Sequence, residues 1–216
     1  MRFDRFRLCA VGLVALLAAA TPAVAHPHVW VTMNSEVLFD KTGKVTGIRQ
    51  HWTFDDMYSA FVTTGIGVSG KAATPEELLP VAKVNVESLA EFDYFTFARD
   101  AHGKVEFAKP VDYSMTESDD MLATLHFTLP LKTPETVGKA FSFQIYDPTF
   151  FVDFEFAKTD PVTLVDAPKG CSLNDFKPPP LTPADSLKLT AAAAEDFAPD
   201  LAFVIRLSDR AVVTCP

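Results

Sequence analysis

Residues 28–39 read HVWVTMNSEVLF, residues 40–44 DKTGK and residues 45–55 VTGIRQHWTFD. Apolar and polar side chains alternate on both sides of a short polar stretch. A period of two is the mark of a half-buried strand, and Asp40-Lys41-Thr42-Gly43-Lys44 is turn chemistry. The stretch therefore predicts a β-hairpin. A two-residue turn at Thr42-Gly43, or a four-residue loop over 41–44, gives one register. Trp30 then faces Asp55, Thr32 faces Thr53, and Asn34 faces His51. His28 lies diagonal to Asp55 on the same sheet face, at about 7–8 Å. His51 shares that face but sits about 20 Å away along the strand, at roughly 3.3 Å per residue. Asp56 points to the opposite face, with Val29, Val31 and Phe54. A three-residue turn would instead set Asp56 opposite His28, so the choice between the two acids depends on the turn.

The rest of the chain continues the pattern. A short helix is expected over 56–66. A second is expected from Thr74-Pro75-Glu76-Glu77 to about residue 91, with Leu78, Leu79, Ala82, Val86 and Leu89 at helical spacing. Strands are expected over 92–99, 104–115, 120–129, 140–146, 150–157 and 161–166. Lys177-Pro178-Pro179-Pro180 reads as a stiff linker. Thr182-Pro183-Ala184-Asp185 opens a helix to about Asp196, and a last strand is expected over 201–207. The sum is α+β, with an antiparallel, sandwich-like sheet core and a few helices.

Hydrophobic residues make up 48% of the 216 positions and charged residues 22%, which excludes a disordered chain. There are 28 acidic and 19 basic residues, and this balance argues against nucleic acid, which needs a basic footprint. Residues 1–25 read as a signal peptide: a charged start with Arg2, Arg5 and Arg7, an apolar run from Leu8 to Ala20, and cleavage after Ala25. Residues 26–216 are then one exported, periplasmic domain, more acidic than the whole chain. Two cysteines remain in it, Cys171 and Cys215. In an oxidising compartment that number suits one disulfide; a two-thiolate metal site is the alternative.

Cleavage after Ala25 would make His26-Pro27-His28 the mature N-terminus. The α-amine and two imidazoles then lie within three residues, and neutral imidazole is a common ligand for zinc, copper and nickel. Pro27 has no N–H, so an amino-terminal chelate through deprotonated backbone amides cannot form in full. A copper ion clamped by the amine and ring of His26 remains an alternative, as does a metal-free terminus that docks to a partner. Asp147 precedes a proline, which by itself is a turn opening. His126 reads as a satisfied sheet histidine, His102 as an exposed turn residue, and Glu117, Asp119 and Asp120 as a solvated loop. No catalytic template is present; Gly65-x-Gly67-x-x-Gly70 lacks the strand before it that a dinucleotide fingerprint needs.

Four motifs together carry a family resemblance. They are His26-Pro27-His28-Val29, then Trp52-Thr53-Phe54-Asp55-Asp56-Met57-Tyr58, then Tyr146-Asp147-Pro148-Thr149-Phe150-Phe151, and last Gly170-Cys171 with Cys215-Pro216. In these the chain resembles periplasmic proteins labelled as of unknown function, or as periplasmic parts of an uncharacterised, ABC-type transport system. Such proteins are encoded beside permeases of the nickel/cobalt type, and some are linked to zinc acquisition. The resemblance implies a non-catalytic accessory protein that captures a divalent transition metal (zinc first, with nickel, cobalt or copper as alternatives). It would hand the ion to an inner-membrane permease, or regulate that permease. The implied ligands are His26, His28, Asp55 and Asp147. Some relatives carry a His-rich loop; its absence here argues against bulk metal buffering.

Overall fold

Alternation places Val29, Val31, Met33, Val37 and Phe39 inside and Trp30, Thr32, Asn34 and Glu36 outside along the first strand, β1 (Val29–Phe39). A computed structural model describes residues 27–68, 70–137, 140–194 and 198–216. The second strand, β2 (Lys44–Phe54), returns antiparallel in the expected register: Thr32 faces Thr53 and Asn34 faces His51. The turn is built by Asp40, whose carboxylate accepts the amides of Thr42 and Lys44 and the Thr42 hydroxyl. Gly43 has φ +83°, a conformation that glycine adopts without strain.

Helix α1 (Asp56–Val62) follows β2, and α2 (Pro75–Ser88) opens with a capping box between Thr74 and Glu77. A 3₁₀ segment, Leu89–Phe95, leads into β3 (Thr96–Asp100) and β4 (Gly103–Val105). Then come β5 (Val111–Glu117), β6 (Ala123–Thr136), β7 (Phe141–Ile145), β8 (Val152–Phe156), β9 (Val162–Val165) and β10 (Ser172–Phe176). Helices α3 (Pro183–Ala194) and α4 (Leu201–Leu207) precede β11 (Arg210–Thr214).

The strands form two sheets. One runs β5-β6-β2-β1-β8, with β9 also on β1; the other runs β10-β11-β7-β3-β4. Aromatic side chains fill the space between them. Trp52 meets Phe127 and Phe154 edge-on at 4.9 Å, and Phe143 of β7 meets Phe156 of β8 at 6.4 Å. The result is the expected α+β sandwich, with a Cys171–Cys215 disulfide spanning 44 positions and tying the C-terminal strand to the start of β10. No helix among the described residues is long and apolar enough to cross a membrane.

Several elements differ from the sequence reading. β8 and β9 pair with β1 in parallel, so the first sheet is mixed. The 104–115 segment is not one strand: β4 and β5 lie in different sheets, and the chain crosses between them at Glu106, since Phe107 already bridges Leu131 of β6. Residues 92–95 belong to the 3₁₀ segment, in which Asp93, Tyr94 and Phe95 have positive φ. The stretch 201–207 is a helix rather than a strand. Asp200 caps it by accepting the amide of Phe203, and Phe203 and Val204 bury a helical stripe against Phe150 and Leu189. The last strand is β11 instead.

Gly47 sits at a register shift between β2 and β6. A Cβ there would lie 2.9 Å from the Leu129 carbonyl oxygen and 3.1 Å from Pro130 Cα. Both contacts are backbone and cannot swing away. Gly47→Ala is therefore expected to destabilise the fold by about 1–3 kcal/mol, read by chemical denaturation; an unchanged midpoint would contradict this packing.

Candidate functional site

The hairpin register ends at Asp55, and there the carboxylate takes over from the ladder. The Asp55 amide donates to the Trp30 carbonyl at 2.9 Å, and the Trp30 amide donates to Asp55 Oδ2 at 2.8 Å. The other oxygen, Oδ1, accepts the Tyr58 amide at 2.8 Å and caps α1. One side chain thus fixes the start of β1 and the start of α1. Asp56 instead accepts the amide of Met57, its neighbour in the first turn of α1.

Asp147 is buried and accepts four hydrogen bonds. Oδ1 takes the Thr149 amide and hydroxyl, both at 2.8 Å, and Oδ2 takes the amides of Phe151 and Val152, both at 3.1 Å. A carboxylate has about four lone-pair sites, so this set is full. The bonds close the 147–152 loop, with Phe150 at φ +57°. The loop in turn holds the start of β1: the Phe151 carbonyl accepts the amides of His28 at 2.9 Å and Val29 at 3.3 Å. The exposed His28 ring lies 4.7 Å from the Phe151 ring.

The fold thus brings His28, Asp55 and Asp147 to one end of β1 through shared hydrogen-bond partners. His26, the fourth expected residue, lies outside the described residues. Among the described residues, no three His, Cys, Asp or Glu side chains are grouped closely enough to hold a metal ion. The chemistry of the donors still differs. The His28 imidazole is exposed, Asp55 retains two lone pairs, and Asp147 has none uncommitted. Beneath this end lies a mostly apolar cavity of about 340 Å³, lined by Val29, Trp52, Tyr58, Phe95, Asp147 and Phe151 among others.

Two features stand out only in three dimensions. His126 is the expected satisfied sheet histidine, and one of its partners is a second histidine: its Nδ1 lies 2.7 Å from His51 Nδ1 across the β2–β6 pair. Burial, then the neighbouring His51, lower its pKa below the usual histidine value. Glu117 is not simply solvated either, since it accepts the Ala73 amide at 2.7 Å. The second feature is a cavity of about 380 Å³ where Asp153, Glu155 and Asp209 face Lys177 and the Pro178–Pro180 run. Asp209 is 3% exposed; its Oδ2 accepts the Phe156 amide, and its Oδ1 has no hydrogen-bond partner among the described residues. Burial first, then Glu155 and Asp209, push the Asp153 carboxyl up to about 6. The signal in the sequence is the phase of these residues on their strands; their partners depend on strand order.

Fold and site together define a two-sheet α+β domain with a disulfide-tethered C-terminus and a carboxylate-anchored N-terminal strand. Comparison places it further. Residues 11–215 match a family described as "Protein of unknown function (DUF1007)", and the chain belongs to that family. It is also similar to an uncharacterized protein of Haemophilus influenzae, 27% identical over 150 residues that cover 68% of this chain and 71% of the relative.

The carboxylates make two expectations specific. Asp147→Asn turns one acceptor atom into a donor facing N–H groups, at a cost of about 1–3 kcal/mol. Amide exchange at His28, Val29, Phe151 and Val152 should quicken while β2–β6 amides keep their protection; uniform loss of protection would contradict a local role. Asp153 has a folded pKa of about 6 against an ordinary 3.8, so its contribution is fully present below about 3.8 and is lost as pH rises through 6. Asp153→Asn should therefore be more stable than wild type near pH 7.5, by on the order of 1–2 kcal/mol. The gain should vanish near pH 3.8; thermal unfolding across this range reads it.

Proposed function

We propose that the chain is a non-catalytic, exported metal-binding accessory protein. It takes a divalent transition-metal ion, zinc foremost, at the mature N-terminus and delivers it to, or regulates, an inner-membrane permease of the nickel/cobalt type. The observation that carries this reading is the anchoring of His28. Three stretches far apart in sequence converge on the start of β1: the Phe151 carbonyl holds the His28 and Val29 amides, Asp147 holds Phe151, and Asp55 holds Trp30. Such an arrangement is costly to build for a merely frayed end.

In this reading His26 and His28 supply nitrogen donors, and Asp55 supplies a carboxylate oxygen through its remaining lone pairs. Asp147 acts as a positioning residue, because its acceptor sites are already filled. An ion held at a chain terminus keeps open coordination positions, which transfer to a second protein requires. Nearby apolar side chains suit such an encounter: Trp30, Met57, Phe61 and Phe151 are each about half exposed or more. Mixed nitrogen and oxygen donors suit zinc and nickel alike.

Calorimetric titration tests the proposal, using chain that begins at His26, with zinc, nickel, cobalt and copper(II) in turn. The expected result is one bound equivalent in wild type that weakens at least 100-fold in the His26→Ala, His28→Ala double variant, over and above any equivalent that both chains share. Equal binding by both chains, or no binding by either, would overturn it.

A further inference from the structure

The outward face of the six-stranded sheet carries a second cluster of nitrogen donors, independent of the terminus. Four adjacent strands contribute: Glu36 from β1, His51 from β2, His126 from β6 and Thr116 from β5. His51 pairs directly with His126 in the ladder, so the two rings stand side by side on one face. Their Nδ1 atoms are 2.7 Å apart, their centroids 5.0 Å apart, and their planes cross at 63°.

One outer nitrogen is also engaged. His126 Nε2 lies 2.8 Å from the Thr116 hydroxyl oxygen, and His51 Nε2 lies 3.8 Å from Glu36 Oε1, an ion-pair distance and not a hydrogen bond. A ligating imidazole typically presents one nitrogen to the ion and holds the other by a hydrogen bond to a carboxylate or another oxygen. Here the outer nitrogen of His126 is held in that way, that of His51 has a carboxylate nearby, and both inner nitrogens face one gap.

We propose that His51 and His126 form a second divalent transition-metal site, binding one ion between their Nδ1 atoms with solvent in the remaining positions. The dimensions suit this. Two nitrogens on one tetrahedral ion at 2.0–2.1 Å stand about 3.3 Å apart, so the rings must part by about 0.6 Å and tilt until both lone pairs meet at the ion. The centroids of such a ligand pair lie about 5 Å apart, which is already the case. The side chains of His51 and Glu36 are 28% exposed, so an ion reaches the gap from solvent.

Protons balance without release. A neutral pair carries two ring protons. In the free protein one of them lies between the two Nδ1 atoms. On binding, both sit on the Nε2 atoms, that of His126 donated to Thr116 and that of His51 facing Glu36, and the ion takes the place of the inner hydrogen bond. The charge nearby is compatible: Arg49, the adjacent cation, is already paired with Glu36. Thr53 and Thr124, the next facing pair along the same strands, bond each other at 2.9 Å and wall one side of the gap. Imidazole pairs of this kind suit zinc, copper(II), nickel and cobalt rather than magnesium or calcium.

The test uses mature chain carrying His26→Ala and His28→Ala, so that the terminal imidazoles are absent. Copper(II) is the probe in electron paramagnetic resonance, and zinc in calorimetry. The site predicts one bound equivalent with hyperfine coupling to two imidazole nitrogens. His51→Gln and His126→Gln should each abolish that signal while circular dichroism stays native. Glu36→Gln removes the carboxylate beside His51 Nε2, and with it the Arg49 ion pair, and should weaken binding about 10–100-fold, which keeps the test decisive if a histidine variant misfolds. A folded terminal double variant that binds no ion, or binding that survives both histidine substitutions, would overturn the site. Because the terminal imidazoles are removed throughout, failure here leaves the N-terminal reading untouched, and failure of that reading leaves this site standing.

Discussion

Strand β1 is hydrogen-bonded along both edges, to β2 on one side and to β8 and β9 on the other. Everything at the N-terminal end depends on this double pairing and on the two carboxylates that finish it. Asp55 takes the Trp30 amide that the end of β2 leaves unpaired, and Asp147 shapes the loop whose carbonyl receives His28 and Val29. Charge-assisted bonds from backbone amides to a carboxylate are among the stronger ones available. They hold a chain end that conformational entropy would otherwise free. The same two acids that look like ligands in the sequence therefore act first as anchors. Asp55 keeps lone pairs for a second task; Asp147 does not.

Much of this is legible in the sequence because it is local. The β1–β2 register follows from strict alternation and the Asp40–Lys44 turn, and alternation alone sets His28 near Asp55. Cys171 and Cys215 pair as their number suggests. Other features are not legible, for a physical reason in each case. Residues 201–207 are an apolar run short enough to suit either strand or helix; the cap from Asp200 and the burial of Phe203 and Val204 decide the matter. The break between β4 and β5 depends on which sheet each joins. The parallel pairing of β8 to β1 is non-local, and the approach of Asp147 to the terminus depends on it. The meeting of His51 with His126 needs β6 beside β2, which no periodicity reports.

Two separate imidazole groupings give the chain a consistent chemical character. One, in the proposed reading, is at the mature terminus. The other is fixed between neighbouring strands, with the outer nitrogen of His126 held by Thr116. A strongly acidic chain, net −9 over its whole length, favours the approach of cations to both.

The central claim is that metal is bound by the terminal imidazoles. The most direct measurement is long-range proton–nitrogen NMR of the ring nitrogens during zinc titration of chain beginning at His26. The account predicts that one nitrogen each of His26 and His28 shifts to a metal-bound value, while His102 stays unchanged. Terminal imidazole signals that remain unmoved at saturating zinc would contradict it.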